Sequence, residues 1–186
     1  MSAQQQPDSS AAAPAPAPTA APETKRKITL KSADGELFSV DEDVAMEFAT
    51  VKRFFEDNTA LTDTEERVVP LPNAHSKQLS MAITFCSTVV ELKGNEAARK
   101  IFEESFVREK SNSELKGLIW VGNYLEVKHM LDVLSQGAAD RIKDKSVEYA
   151  RKFFGIENDF TPEEEARVRA ENEWAFLNVD EAEYVD

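Results

Sequence analysis

The sequence predicts a mixed α/β fold of the α+β type, with strands confined to the first half and helices filling the second. Three observations carry this. Residues 28–40 alternate apolar and polar positions on either side of Asp34-Gly35, the pattern of a hairpin whose glycine supplies the positive φ of a tight turn. RVVPLP, residues 67–72, reads as a short strand that Pro70 and Pro72 confine to an edge or a strand end. Beyond residue 115 the apolar residues recur at three- and four-residue spacing and no further strand pattern occurs.

The hairpin pairs Ile28 and Leu30 with Phe38 and Val40. Asp41 follows as a candidate N-cap, and Val44, Phe48, Val51 and Phe55 recur at the spacing of one helix. Residues 58–66 are polar and loop-like. Asn73 or Ser76 can cap the next helix, whose stripe is Leu79, Ile83 and Val90, and Gly94-Asn95 breaks it. In the second half, Leu115, Leu118, Ile119, Gly122 and Leu125 share one helix face, with Trp120 and Val121 apolar on another. A helix over 127–142 carries two stripes: Leu131, Leu134, Ala138 and Ile142, and beside them Met130 and Val133. A helix apolar on two sides must be covered on two sides. One cover is the core; the other is either more core or a partner.

The last helix has the clearest start. In Thr161-Pro162-Glu163-Glu164 the threonine is the N-cap, proline at N1 forgoes an N–H that has no partner there, and glutamate at N3 completes a capping box. Glu163, Glu164 and Glu165 sit at the positive end of the helix dipole. The pattern runs to about residue 176, yet its apolar side is thin: Ala166, Ala170 and Trp174, with Val168 and Ala175 to one side. Such a helix has little with which to fix itself to a core, and reads as an element awaiting a partner.

The chain has 186 residues, a formal net charge of −13 and a single cysteine. Residues 157–186 hold eleven acids and two bases, so most of the net charge belongs to the C-terminal segment. Residues 1–24 include eight Ala and five Pro and, after Met1, no aromatic or large aliphatic residue. They read as a disordered tail that cannot offset its ordering entropy by burial. They lack the arginines of a transit peptide. An acidic surface repels phosphate backbones and anionic membranes, so neither nucleic acid nor membrane is expected as a partner. No signal peptide, membrane span or N-x-[ST] sequon is read, and one cysteine excludes an intramolecular disulfide framework.

Catalytic chemistry finds no constellation. His75, Cys86 and His129 are the only imidazoles and thiol. His75 falls at a helix start and Cys86 in an apolar stripe, which reads as two surface imidazoles and a small buried thiol rather than a nucleophile and base. No pair has zinc-ligand spacing. Gly117 and Gly122 have Walker-type spacing, but Asn123-Tyr124 stands where Lys and Ser/Thr are required. The chain is read as a non-enzyme with no metal and no cofactor.

Two segments resemble the S-phase-kinase-associated-protein-one (Skp-one) family, the adaptors of SCF ubiquitin ligases: GNYLEVKHMLDVLSQGAADRIKDK at 122–145 and FFGIENDFTPEEEARVRAENEW at 153–174. The SADGE hairpin and VPLPNAHSKQL at 69–79 are similar to the family's N-terminal half. The Trp-Ala-Phe after Glu173 is similar to plant members. The resemblance implies a BTB/POZ fold over 27–110 and F-box-binding helices over 113–176; the acidic tail over 177–186, like residues 1–24, has no counterpart in it. It implies two partners, a cullin and F-box proteins, and residence in nucleus and cytoplasm. The family's Asn-Tyr cullin contact is carried by Asn123 and Tyr124. Its F-box surface falls on Leu131, Ala138 and Ile142, then Phe154, Ile156, Asn158, Asp159 and Phe160, then Val168, Asn172 and Trp174.

Some residues depart from the family pattern. ELKGNEAARKIF, 91–102, is short and mixed where the family has a long acidic loop, and Phe102 stands where the family has Trp. DKSVEYAR, 144–151, replaces a family Gly by Asp144 and a Pro by Val147, which loosens the expected turn into the helix at 146–154. Ala138 replaces a larger apolar residue and implies a shallower contact. Two other readings compete with the adaptor: a BTB/POZ self-association module, and a diverged F-box binder that no longer engages a cullin.

Overall fold

A computed structural model describes residues 26–58, 68–177, 179–180 and 184–186. The Ala/Pro-rich segment and most of the polar loop at 58–66 lie outside them. The hairpin forms as its pattern requires. β1 (Lys27–Lys31) and β2 (Leu37–Asp41) pair antiparallel, with Ile28 opposite Val40 and Leu30 opposite Phe38. Gly35 takes φ +86° in the connecting turn. β3 (Val68–Pro70) runs parallel to β1 on its other side, so the sheet order is β2-β1-β3 and the proline strand is at an edge. Edge position tolerates a residue that cannot donate to the ladder.

The helix expected after β2 is broken in two. α1 (Glu42–Ala45) stops, Phe48 adopts an extended conformation, and α2 (Ala49–Asp57) begins. Val44, Phe48 and Val51 are buried all the same, so the chain kinks to bring them inward rather than presenting one straight stripe. Asp41 occupies the N-cap position, but its side chain makes no capping bond.

α3 (Ser76–Glu91) is capped from a distance. Neither Asn73 nor Ser76 supplies the oxygen; Asp34, in the hairpin turn, accepts from both the backbone N–H and the hydroxyl of Ser76. A hydrogen bond with the Ser32 side chain, and then these bonds from Ser76, hold the Asp34 carboxyl well below the usual carboxylate range. The buried face is Leu79, Ala82, Phe85 and Cys86, with Ile83 and Val90 only half-buried, so the core stripe is rotated from the expected one. Gly94, at φ +94°, and the N-cap Asn95 turn the chain into α4 (Glu96–Arg108). Most of the segment where the family has its acidic loop is therefore helix.

α5 (Asn112–Leu125) opens with a complete capping box, Ser111 and Glu114, and buries Leu115, Leu118, Val121, Gly122 and Leu125. Val121 does not share a face with Trp120: the valine is buried and the tryptophan is 72% exposed. α6 (Lys128–Ile142) follows a tight turn in which Glu126 takes φ +56°. The two helices approach closely because a glycine faces the contact: a Cβ on Gly122 would lie 2.7 Å from Met130 Cε. Gly137 does the same for α4, where a Cβ would collide with the Val107 side chain. Arg141 clamps the end of α4, donating to the carbonyls of Val107 (2.7 Å) and Lys110 (2.6 Å) and to Asn112 Oδ1 (2.8 Å). It thereby satisfies carbonyls that a helix terminus leaves without partners.

The turn into α7 (Val147–Phe154) is firmly set despite the missing Gly and Pro. Asp144 takes the left-handed conformation itself, at φ +57°, and the Ser146 side chain accepts from Tyr149 N–H at 3.0 Å. Of the acidic tail, Tyr184 packs edge-on to Tyr149, and Asp186 accepts from Ser113 N–H.

Candidate docking surfaces

α7 separates core from surface between two adjacent phenylalanines. Phe153 is fully buried, while Phe154 is 52% exposed, with the two rings in edge contact at 5.0 Å. Gly155 then takes φ +68° at the C-cap, and Ile156 N–H reaches back to the Arg151 carbonyl at 2.8 Å. Beyond it Ile156, Asn158, Asp159 and Phe160 are all exposed. Asn158 Oδ1 accepts from Phe160 N–H, an Asx-type turn that aims the chain into the next helix.

α8 (Pro162–Glu171) begins with the capping box the sequence predicts: Thr161 Oγ1 accepts from Glu164 N–H, and Glu164 Oε2 accepts from Thr161 N–H at 2.9 Å. None of its residues is buried. The helix ends five residues short of the expected end, at Glu171, and a separate 3-10 turn, Glu173–Phe176, carries Trp174. Asn172, at φ −126°, makes the break, and its Nδ2 donates to Val168 O at 2.9 Å.

Polar contacts, not burial, hold α8 against α7. Glu165 is their hub: it accepts from Asn158 Nδ2 at 3.1 Å, from Arg169 at 3.2 Å and from Arg151 at 3.4 Å. Arg169 also pairs with Glu148 across the helices. These bonds, the one from Asn158 first, depress the Glu165 carboxyl below its ordinary range. The groove between the two helices has a volume of about 560 Å³. Ile156 lines it, and Arg151, another lining residue, lies over the Phe160 ring at 5.8 Å. Phe154 on α7 and Trp174 beyond α8 are likewise exposed large apolar residues. On α6, Leu131 and Ile142 are half-buried, but Ala138 is 6% exposed and belongs to the core.

Asn123 and Tyr124 lie on the final turn of α5. Asn123 is exposed. Tyr124 is half-buried, its carbonyl accepts from Thr50 Oγ1 at 2.7 Å, and the Asn73 backbone bonds its hydroxyl. Burial raises the Tyr124 hydroxyl pKa above its ordinary value.

Among the described residues no group of His, Cys, Asp and Glu could hold a metal ion, and no helix is long and apolar enough to cross a membrane. Cys86 is buried, and desolvation pushes its thiol up to about 12, leaving no thiolate for chemistry. His129 Nε2 contacts Glu103 Oε1 at 2.6 Å on the surface.

Residues 26–91 match the tetramerisation domain of the Skp1 family, and residues 128–175 match the family's dimerisation domain. The chain is 43% identical over 175 residues to SKP1-like protein 20 of Oryza sativa subsp. japonica, covering 83% of this chain and 97% of that protein. It is 43% identical over 154 residues to SKP1-like protein 14 of Arabidopsis thaliana, covering 82% and 99%. The chain belongs to the Skp1 family. The POZ fold followed by helices that the resemblance implied is the architecture observed.

The structure adds two features to this Skp1-family chain that the sequence reading missed. The glutamates at the start of α8 read only as charges matched to the helix dipole, yet Glu165 joins two helices and the linker; the Glu165–Arg169 spacing of four was the visible half of that signal. Trp120 read as one of a pair of apolar residues on a helix face, and nothing local marked it as exposed.

Proposed function

We propose that the two surfaces described above are the two docking faces of an SCF ubiquitin-ligase adaptor. As a Skp1-family protein the chain is a non-catalytic adaptor that bridges a cullin and F-box substrate receptors. The F-box face is the end of the molecule formed by α6, α7, the linker and α8, with Leu131, Ile142, Phe154, Ile156, Asn158, Asp159, Phe160, Val168, Asn172 and Trp174 as its contacts. Ala138, inside the core, shapes this face from beneath. The cullin face centres on Asn123 and Tyr124.

The observation that carries this reading is Trp174, 73% exposed behind a firmly capped helix that buries nothing. A free chain gains little from such an element. A partner that lays its helices into the groove would desolvate Trp174, Phe154, Ile156 and Phe160 together, and a large aromatic at the centre of a desolvated patch dominates binding energy. The adaptor works by geometry: it holds one partner rigidly relative to the other, so substrates presented by the F-box protein meet the ubiquitin-transfer machinery carried by the cullin.

Co-expression with one F-box protein and a cullin amino-terminal domain, followed by size exclusion with light scattering, tests the reading. A one-to-one-to-one complex is expected. Asn123→Lys with Tyr124→Lys should abolish cullin binding and spare F-box binding. An F-box complex that excludes the cullin would overturn the bridging role, and a lone homo-oligomer would overturn both faces.

A further inference from the structure

Trp120 is the second most exposed described aromatic on the chain's helices, at 72%, and neither docking face includes it. With successive residues about 100° apart, the core positions Leu115, Leu118, Gly122 and Leu125 lie on one side of α5. Gly117, Trp120 and Tyr124 form a stripe roughly 150° away on the same wheel. The core side meets α6, where Gly122 abuts Met130 and Leu131. The stripe instead borders the turn between β3 and α3 and the first turn of α3. Gly117 sits against Gln78, a Cβ there lying 3.2 Å from Gln78 Cγ, and Tyr124 is bonded by the Asn73 backbone. Between these contacts opens a groove of about 290 Å³, walled by Trp120 and lined by Pro72, Asn73, His75, Gln78 and Val121.

We propose that Trp120 is an anchor of the cullin face, which extends from Asn123-Tyr124 one helical turn toward the start of α5 and into this groove. The inference rests on the cullin reading of Asn123 and Tyr124 and gives that face its apolar centre. The occupant is a helix of the cullin amino-terminal domain that presents an apolar side chain to the groove. Trp120 and Tyr124 are four residues apart and so flank one another on the helix surface, making the groove continuous with the expected contact. Asn123 and a half-buried Tyr124 offer little apolar area by themselves. A tryptophan brings roughly 150–250 Å² that water otherwise wets, and tryptophan is among the side chains enriched at the residues that dominate interfaces. The F-box cannot be the occupant of this groove in the same complex, because its candidate contacts lie on α6 to α8 and the stripe points away from α6.

The test uses the full chain pre-assembled with an F-box protein and titrated with the cullin amino-terminal domain in a calorimeter. Trp120→Ala should weaken cullin binding about tenfold or more, Trp120→Phe should restore most of it, and F-box affinity and melting temperature should not move. Unchanged cullin affinity in Trp120→Ala, alongside its loss in the Asn123→Lys, Tyr124→Lys pair, would overturn the anchor while leaving the cullin face in place. Unchanged affinity in both would overturn the cullin reading as well. A wild-type dimer that Trp120→Ala dissociates, with cullin binding intact, would make the occupant a second copy and overturn the proposal. A melting temperature lowered by many degrees would mean that Trp120 is packed, which also overturns it.

Discussion

α5 and α8 start identically and end in opposite environments. Each has a hydroxyl N-cap and a glutamate at N3 that returns the bond, Ser111 with Glu114 and Thr161 with Glu164. α5 buries six of its residues between α3 and α6, and α8 buries none. Capping settles where a helix begins, because it satisfies N–H groups that have no partner within the helix. It says nothing about where the helix sits. Position comes from burial, and among the described residues α8 meets α7 and the linker through polar groups: Glu165, Arg151, Arg169, Glu148 and Asn158. The body is thus fixed by burial and α8 by polar contacts, an arrangement that suits the docking proposed for that end.

The largest effect expected from breaking this contrast is in the body. Leu118→Ala removes a fully buried side chain from the α5 core and should cost about 2–5 kcal/mol of global stability, read as a lowered denaturation midpoint. No truncation in α8 should approach it. Trp174→Ala should leave the melting temperature of the free chain nearly unchanged and yet weaken F-box binding by about 2 kcal/mol, measured by calorimetry. If the free chain melts lower by a comparable amount, Trp174 is holding α8 to the body and the contrast fails.

These two substitutions also mark what was legible in the sequence. The hairpin register, the α8 capping box and the exposure of Trp174 were readable because their causes are local: alternation, a Thr-x-x-Glu spacing, and too few apolar neighbours. The family resemblance located the candidate faces. What escaped was set by residues distant in the chain. Asp34 caps α3 from a turn 42 positions away. Phe48 breaks a helix because the core needs Val44 and Val51 at different angles. Ala138 looks like a surface contact in its stripe, but it packs inside because Gly137 lets α6 close onto Val107. Asp144 takes up the left-handed conformation where the family has glycine, a region that a short polar side chain tolerates better than most.

Removing matching caps sharpens the comparison at a smaller scale. Ser111→Ala and Thr161→Ala should each cost about 1 kcal/mol of helix stability. In α5 that loss should appear in the global denaturation midpoint, since its helix cannot unravel without exposing the core. In α8 it should appear only locally, as faster amide hydrogen exchange over 162–171 with the rest of the chain unchanged. A global shift from Thr161→Ala would show that α8 belongs to the same cooperative unit as the body.

The smallest effect is the pH response of the α7–α8 contact, and its sign follows from Glu165. Its folded-state pKa lies below the ordinary value of 4.5, chiefly through Asn158 and Arg169. The native contact therefore favours the ionised form. Its contribution is complete above the ordinary value and is lost as pH falls through the depressed one. Glu148, also depressed, adds in the same direction. Because both carboxylates remain in contact with solvent, salt screens the pairs too. Amide exchange over 162–171, corrected for intrinsic rates, should thus accelerate below about pH 4.5, and more modestly at neutral pH in about 1 M salt. Exchange in α5 should not follow the salt change, since its hold is apolar. Glu164, whose carboxylate accepts from Thr161 in the cap, is depressed as well and adds an acid response of its own at the start of α8. Glu165→Gln should therefore reduce the acid response of α8 without abolishing it, and should remove the salt sensitivity of the α7–α8 contact that Glu165 supplies. An acid and salt response unchanged by that substitution would show that Glu165 is not the hub.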